Sequence, residues 1–245
     1  MQNEVVLLHG WGMNKAVWQL CEEALTTTYP AMIKAINLPG FGGASSADGD
    51  YLIANNAALI AQQLAPQSIV IGWSLGGLFA LHLAKHFPDK VSKVILVAST
   101  PYFCEQHDWP GIAPNVLKNF ATQLQTNSAK TIERFLAIQA MGSEHAREDI
   151  KQLRALLAQL PAAESKALAG GLTILESADL RAEFAQLTQP VAGVFGRLDS
   201  LVPIAAMEKI QALNPNFKAY TLTKASHAPF ISHKDEFLSL LKSII

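Results

Sequence analysis

The stretch Ser68-Ile-Val-Ile-Gly72-Trp73-Ser74-Leu75-Gly76-Gly77 decides the fold. Ser68 to Ile71 reads as a short buried strand, rich in β-branched residues. It runs straight into G-x-S-x-G, and Leu78 to His86 then reads as a helix with Pro88 just past its end. Glycines at 72 and 76 let the chain turn sharply with no Cβ clash. Ser74 is then held in a strained conformation, its hydroxyl exposed at the carboxyl end of the strand, where a nucleophile is needed. The plainer reading is an ordinary glycine-rich turn between strand and helix. The motif's position at this junction, with a second motif upstream, favours the nucleophile.

Working outward, strands and helices alternate. Glu4 to His9 is an apolar strand that stops at Gly10, inside His9-Gly10-Trp11-Gly12. A helix follows around Ala16 to Leu25. Ala31 to Ile36 is a second strand, ending in the turn Leu38-Pro39-Gly40-Phe41-Gly42-Gly43, and Ala54 to Leu64 is a helix. After the decisive stretch, Val94 to Ala98 is a fourth strand. The alternation stops from about Tyr102 to Leu180, where apolar residues such as Phe135, Ile138, Leu153, Leu156, Leu157 and Leu160 recur at helical spacing. It resumes with the strand Val191 to Phe195, a helix from Ile204 to Leu213, the strand Phe217 to Leu222 and a closing helix from Glu236 to Ile245. Such alternation implies an α/β fold, a mostly parallel sheet with helices on both faces. The expected layout is a core from residues 1–101 and 181–245, with 102–180 inserted as a helical lid over the strand ends.

Composition excludes several classes. The chain has 245 residues, 50% hydrophobic and 16% charged, which suits one packed domain and not a disordered chain. The net charge of -1 argues against a globally basic nucleic-acid binder. No apolar run approaches bilayer length, and no secretory signal precedes the first strand. Cys21 and Cys104 are the two cysteines, too few for a disulfide framework and not in a CxxC pair. They read as packed thiols, and the chain as a cytoplasmic monomer.

A serine hydroxyl needs a base to take its proton. Of seven histidines, His107 and His145 fall in the lid. His82 and His86 lie on the helix after Ser74, pointed away from it. They are four apart, as metal ligands can be, but no carboxylate or cysteine joins them nearby in the sequence, so they read as packed or solvated. His227, in Ala225-Ser-His-Ala-Pro229 after the last strand, stands where an α/β-hydrolase base stands, and His233 is the alternative. The acid that orients the imidazole is expected at Asp199, in Gly196-Arg-Leu-Asp199 at the end of a strand. Asp179 also lies between Ser74 and His227, but helix capping accounts for it. The oxyanion donors are expected to be the backbone N–H groups of Leu75 and Trp11, with the Trp11 side chain free to line an acyl pocket. Trp73 reads equally well as a packing aromatic. This chemistry calls for no metal and no organic cofactor.

With these motifs in place, the chain resembles the α/β-hydrolases, and more closely the pimeloyl-[acyl-carrier protein] methyl ester esterases of biotin synthesis. The matching stretches are LLHGWGMN with Trp18, LPGFG, GWSLGG, DWPGI, ERFLAIQAMG, GRLDSLVP and ASHAPFISH, which span almost the whole chain. HG and GxSxG belong to the whole superfamily, whereas DWPGI, ERFLAIQAMG and FISH are far more specific. The resemblance implies Ser74 as nucleophile, Asp199 as acid and His227 as base, with Trp11 and Leu75 bordering the oxyanion. It implies a substrate channel lined by Phe135, Leu136, Ala137, Ile138 and Gln139. It departs from the family at the start, where members usually carry a segment ahead of the first strand. Here either the sheet edge is shorter or the start is truncated.

The resemblance also implies an acidic acyl carrier protein as the bearer of the ester. Lys130 and Arg134, and then Arg147, Lys151 and Arg154, follow helical spacing and form the expected docking face. Interleaved Glu133, Glu144, Glu148 and Asp149 would equally suit a solvated helix surface. The expected activity is hydrolysis of a methyl ester with release of methanol. A general esterase for small-molecule esters, or a carbon–carbon bond hydrolase, could use the same triad. A non-catalytic ligand receptor on this fold is the reading from another class. Dehalogenase or epoxide hydrolase chemistry would need aspartate where Ser74 stands.

Overall fold

A computed structural model describes residues 4–28 and 31–245. Six strands form one sheet: β1 (Val5–Leu8), β2 (Ile33–Ile36), β3 (Ser68–Trp73), β4 (Val91–Val97), β5 (Val191–Gly196) and β6 (Lys218–Leu222). Their order is β2-β1-β3-β4-β5-β6 and every neighbouring pair is parallel. The expected sheet is therefore present, with no antiparallel member among the described strands.

Strand side chains alternate between two cores. Val6, Leu8, Val70, Val94 and Leu96 face one side, and Val5, Leu7, Ile69, Ile71, Ile95 and Val97 face the other. The first side is covered by α2 (Ile53–Ala61), α3 (Leu75–His86) and α9 (Ala206–Leu213), through residues such as Ile60, Leu78 and Ile210. The second is covered by α1 (Gln19–Thr28) and α11 (Lys234–Ile244), through Leu25, Phe237 and Leu241. A 3-10 turn at Lys15–Trp18 precedes α1.

Between β4 and β5 the chain forms α4 (Pro114–Thr126), α5 (Ser128–Gln139), α6 (Ala146–Leu157), α7 (Ser165–Ser177) and the short α8 (Arg181–Ala185). Residues 102–113 are not helical, contrary to the expectation of helix from Tyr102. Isolated bridges pair Cys104 with Ile112 and Gln106 with Trp109, and the Trp109 indole N–H donates to the Tyr102 carbonyl at 2.9 Å. Pro110 and Gly111 explain it. Proline cannot donate within a helix, and a Cβ on Gly111 would sit 2.4 Å from the Phe103 carbonyl oxygen. Another short helix, α10 (Pro229–Ser232), sits just before α11.

β1 is flanked by β2 on one side and β3 on the other, so the connections run outward in opposite directions from β1 and β3. The crevice at the carboxyl ends of such strands is where open α/β sheets place ligands. The loops after β1 and β3 carry Trp11 and Ser74. No described helix is long and apolar enough to cross a membrane. The expectation about a segment ahead of β1 falls on residues 1–3, outside the described residues.

Candidate active site

Ser74 stands between β3 and α3 with φ 52° and ψ -119°. That is the strained turn expected, a conformation L-residues hold only when the surroundings enforce it. Three bonds do so. The Ser74 N–H donates to the Val97 carbonyl at 3.0 Å, and the Ser74 carbonyl accepts from the Gly77 N–H at 2.9 Å and from Ser99 Oγ at 2.7 Å. The glycines are needed for close approach. A Cβ on Gly72 would lie 2.3 Å from the Gly76 carbonyl oxygen, and one on Gly76 would lie 2.7 Å from the carbonyl oxygens of Leu8 and His9. Helix α3 can therefore start at Leu75, three residues earlier than its apolar pattern suggests. Ser99 escaped the sequence reading. Its signal was its place just after β4, the strand beside β3.

Asp199 and His227 meet although 28 residues separate them. Asp199 follows β5 and His227 lies in the loop after β6, the neighbouring strand. His227 Nδ1 is 2.8 Å from Asp199 Oδ2. The carboxylate is an acceptor, so Nδ1 carries the proton and donates. Asp199 Oδ1 accepts from the N–H groups of Leu201 and Val202 at 2.8 and 3.0 Å, which fixes the carboxylate's own orientation. His227 Nε2 is left buried with no hydrogen-bond partner among the described residues, an acceptor available for a proton. His227 is 0% exposed and Ser74 2%, so the site is sealed in this conformation.

The histidine loop is fastened on two sides. Trp73, next to the serine, donates its indole N–H to the His227 carbonyl at 2.8 Å. The sequence left Trp73 undecided between packing and function; in the structure its ring also packs edge-on against Phe230, centroids 4.8 Å apart. From the inserted helices, the Gln139 carbonyl accepts the His227 N–H at 3.3 Å and the Met141 carbonyl accepts from Ser226 Oγ at 2.6 Å.

No acceptor among the described residues takes the backbone N–H of Trp11 or of Leu75. Both stay available for a developing oxyanion. The Trp11 indole N–H donates to the Leu168 carbonyl of α7 at 2.8 Å, and its ring meets Phe135 edge-on at 4.9 Å. In α5, Phe135, Leu136 and Gln139 turn inward, Ile138 is half-buried and Ala137 is exposed. Gln139 Oε1 is buried with no hydrogen-bond partner among the described residues, on an inward face that also carries Thr131, Phe135 and Leu136.

The alternatives are placed elsewhere. His233 Nδ1 contacts Ser232 Oγ at 2.9 Å, at the start of α11. Asp179 binds the guanidinium of Arg181, which lies over the rings of Tyr102 and Trp109, and accepts the Arg181 N–H at 3.1 Å; the N-cap of α8 is its neighbour Leu180 rather than Asp179 itself. His9 Nε2 accepts the Leu38 N–H at 2.9 Å and Nδ1 donates to the Gly10 carbonyl at 2.8 Å, so His9 is a neutral buried strut between two loops. Burial pushes its pKa down to about 4. Cys21 and Cys104 are buried free thiols with raised pKa values, driven by that burial. His82 is buried and His86 exposed, as packed and solvated side chains are. Glu183 of α8 does join them, brought there by the fold from almost a hundred residues away.

Lys130, Arg134, Arg147, Lys151 and Arg154 are all exposed, on α5 and α6. Arg154 is ion-paired with Glu133 across the two helices, Nε to Oε1 at 2.9 Å. Arg134 donates to Gln123 Oε1 at 2.8 Å and stacks over Phe120 of α4.

The model of the α/β-hydrolase fold family matches residues 3–234. A pimeloyl-[acyl-carrier protein] methyl ester esterase of Aeromonas hydrophila is 46% identical over 243 residues, 99% of this chain and 95% of that one. The chain belongs to the α/β-hydrolase family, among the pimeloyl-[acyl-carrier protein] methyl ester esterases. Proteins of that name from Shewanella woodyi and Serratia marcescens are 47% and 43% identical, covering 96% and 100% of this chain and 91% and 94% of theirs. Among solved structures, an esterase from Exiguobacterium antarcticum superposes with a TM-score of 0.86 at 21% identity, over 99% of this chain and 91% of that one. A bromoperoxidase from Bacillus anthracis gives 0.85 at 18%, over 98% and 91%. Chains so different in name share the fold, and the fold alone says nothing of substrate. The relatives make this member a carboxylic ester hydrolase.

Proposed function

We propose that this hydrolase cleaves the methyl ester of a pimeloyl group borne on acyl carrier protein, the reaction named for its relatives, and so serves biotin synthesis. The observation that carries the chemistry is the His227–Asp199 bond at 2.8 Å, which leaves a bare, buried Nε2 as the base.

Ser74 Oγ attacks the ester carbonyl as His227 Nε2 takes its proton. The N–H groups of Trp11 and Leu75 hold the oxyanion. His227 then gives the proton to the departing methoxide, releasing methanol and leaving an acyl-serine. A water, deprotonated by the same nitrogen, attacks the acyl-serine; the acyl–Oγ bond breaks, His227 returns the proton to Ser74 Oγ, and the acid leaves as its carboxylate, shedding its own proton to solvent. Asp199 stays ionised and holds the imidazolium that forms at each step. Trp11 and Phe135, whose rings meet edge-on, offer an apolar wall to the methylene chain, and Gln139 a polar atom.

The helices of 102–180 act as a lid, and their exposed Lys130, Arg134, Arg147, Lys151 and Arg154 meet the acidic carrier. A cleft between α4 and α5 is lined by Gln123, Asn127, Lys130, Glu133 and Arg134, so two of these five basic side chains border it, with one carboxylate between them. The test is methanol release from carrier-bound pimeloyl methyl ester by the purified chain and by Ser74→Ala. Turnover by the wild type and none by the variant is expected. Turnover of small free esters with none of the carrier-bound ester would overturn the substrate assignment.

A further inference from the structure

Away from the triad, α3 and α8 bring three metal-type ligands together. His82 and His86 stand one turn apart on α3 with ring centroids 4.1 Å from each other. Glu183 reaches them from α8, its Oε2 3.5 Å from His86 Nε2. One ligand atom from each of the three lies within 4.8 Å of the other two.

The cluster is poorly satisfied by protein alone. His82 Nδ1 and Glu183 Oε2 are buried atoms, and neither has a hydrogen-bond partner among the described residues. Native proteins leave few such atoms, and two in one cluster of three residues call for an explanation. The adjacent cation does not supply one, since Lys85 donates to Gln186 Oε1 at 2.8 Å. A divalent metal would satisfy both atoms at once.

The donor set selects the metal. Two imidazoles and one carboxylate suit zinc, with a fourth position left for water. Bonds of about 2.0–2.1 Å in a tetrahedron put donors roughly 3.3 Å apart. The His86–Glu183 contact is already near that spacing. The remaining closure falls to rotation of His86 and Glu183, whose side chains are 46% and 32% exposed. That exposure also gives the ion its way in.

We propose that His82, His86 and Glu183 form a divalent metal site of the zinc class that clips α3 to α8. Its role is structural. His82 lies eight residues along α3 from Ser74, roughly 12 Å down the helix axis, too far to touch the reacting atoms. The clip joins the helix that begins at the nucleophile to the segment that returns the chain to β5 and Asp199. All the helices of 102–180 are enclosed between its two halves.

The test uses the full chain, free of any affinity tag and stripped with chelator, titrated with Co2+ and followed by visible absorption. One equivalent of Co2+ should give ligand-field bands that Zn2+ then displaces. Zn2+ at about a hundredfold over its Kd should raise Tm by roughly 5–10 °C. His86→Ala and Glu183→Gln change partly exposed side chains and should fold. Each should weaken binding at least tenfold and remove the Zn2+-dependent rise in Tm. His227→Ala should keep the bands, which separates this site from binding at the triad. The proposal is overturned by the absence of bands and of a Tm rise in the wild type. Loss of both in His227→Ala with retention in His86→Ala would overturn it too.

Discussion

The Trp73 indole N–H donates to the His227 carbonyl at 2.8 Å, so the residue beside Ser74 holds the backbone of His227. Trp73→Phe keeps a ring against Phe230 but strips the donor from a buried carbonyl. An unpaired buried acceptor costs about 1–3 kcal/mol, so Tm should fall by several degrees. With the imidazole less well placed, kcat should drop about tenfold with KM little changed. Thermal melts and ester kinetics check this, and an unaltered kcat would remove Trp73 from the positioning of His227.

Asp199→Asn isolates the acid. Its Oδ1 can still accept from Leu201 and Val202, so the loop keeps its shape. An amide nitrogen facing Nδ1 favours the wrong imidazole tautomer, and kcat should fall by about four orders of magnitude, as in serine proteases. His233→Ala should stay within about twofold of wild type. An inactive His233→Ala would reverse the assignment of the base.

His9 gives the fold a dependence on pH. Its folded pKa lies near 4 against an ordinary 6.5, because burial disfavours the charged ring. The unfolded chain therefore takes up a proton at His9 as pH falls through 6.5, while the folded chain does not until about 4. The His9 contribution is complete above 6.5 and is lost as pH drops towards 4, by at most about 3 kcal/mol. His9→Gln retains an acceptor for the Leu38 N–H and removes the titration. Urea unfolding at pH 7 and pH 4.5 should show a smaller loss for His9→Gln than for wild type; equal losses would place the acid sensitivity elsewhere.

Charge reversal addresses the carrier. Arg134→Glu with Arg147→Glu should raise KM for carrier-bound ester and leave a small free ester nearly unchanged, since both side chains are exposed and the substitutions leave Ser74, Asp199 and His227 intact. Added salt should weaken the wild type on the carrier-bound substrate, because exposed charges are screened over about 8 Å at physiological strength, and hardly affect the double variant. Equal losses on both substrates would mean that Arg134's contacts with Gln123 and Phe120 had been broken and the helices disturbed.

Much of the site is legible in the chain because local chemistry writes it there. Gly72 and Gly76 mark the turn at Ser74, since a Cβ at either place would strike backbone. Asp199 and His227 each lie in the loop after a strand, where parallel sheets gather functional groups. What escaped depends on contacts between distant segments. Ser99 bonds the nucleophile's carbonyl from the next strand. Glu183 reaches His86 from the far side of the inserted helices. Ser99 had only its place just after β4 to mark it, and Glu183 had no mark in its own neighbourhood. The misread stretch 102–113 failed for another reason: apolar spacing outweighed Pro110 and Gly111, the residues that govern the backbone there.

The bonds from the Gln139 and Met141 carbonyls to His227 and Ser226 carry an evolutionary consequence. The segment between β4 and β5 is no interchangeable cassette. A graft from a different hydrolase must deliver two carbonyl groups in register beneath the histidine, or the recipient loses its base along with its specificity. Descendants that acquire new substrates by remodelling this segment can drift elsewhere along it, but they inherit the end of α5.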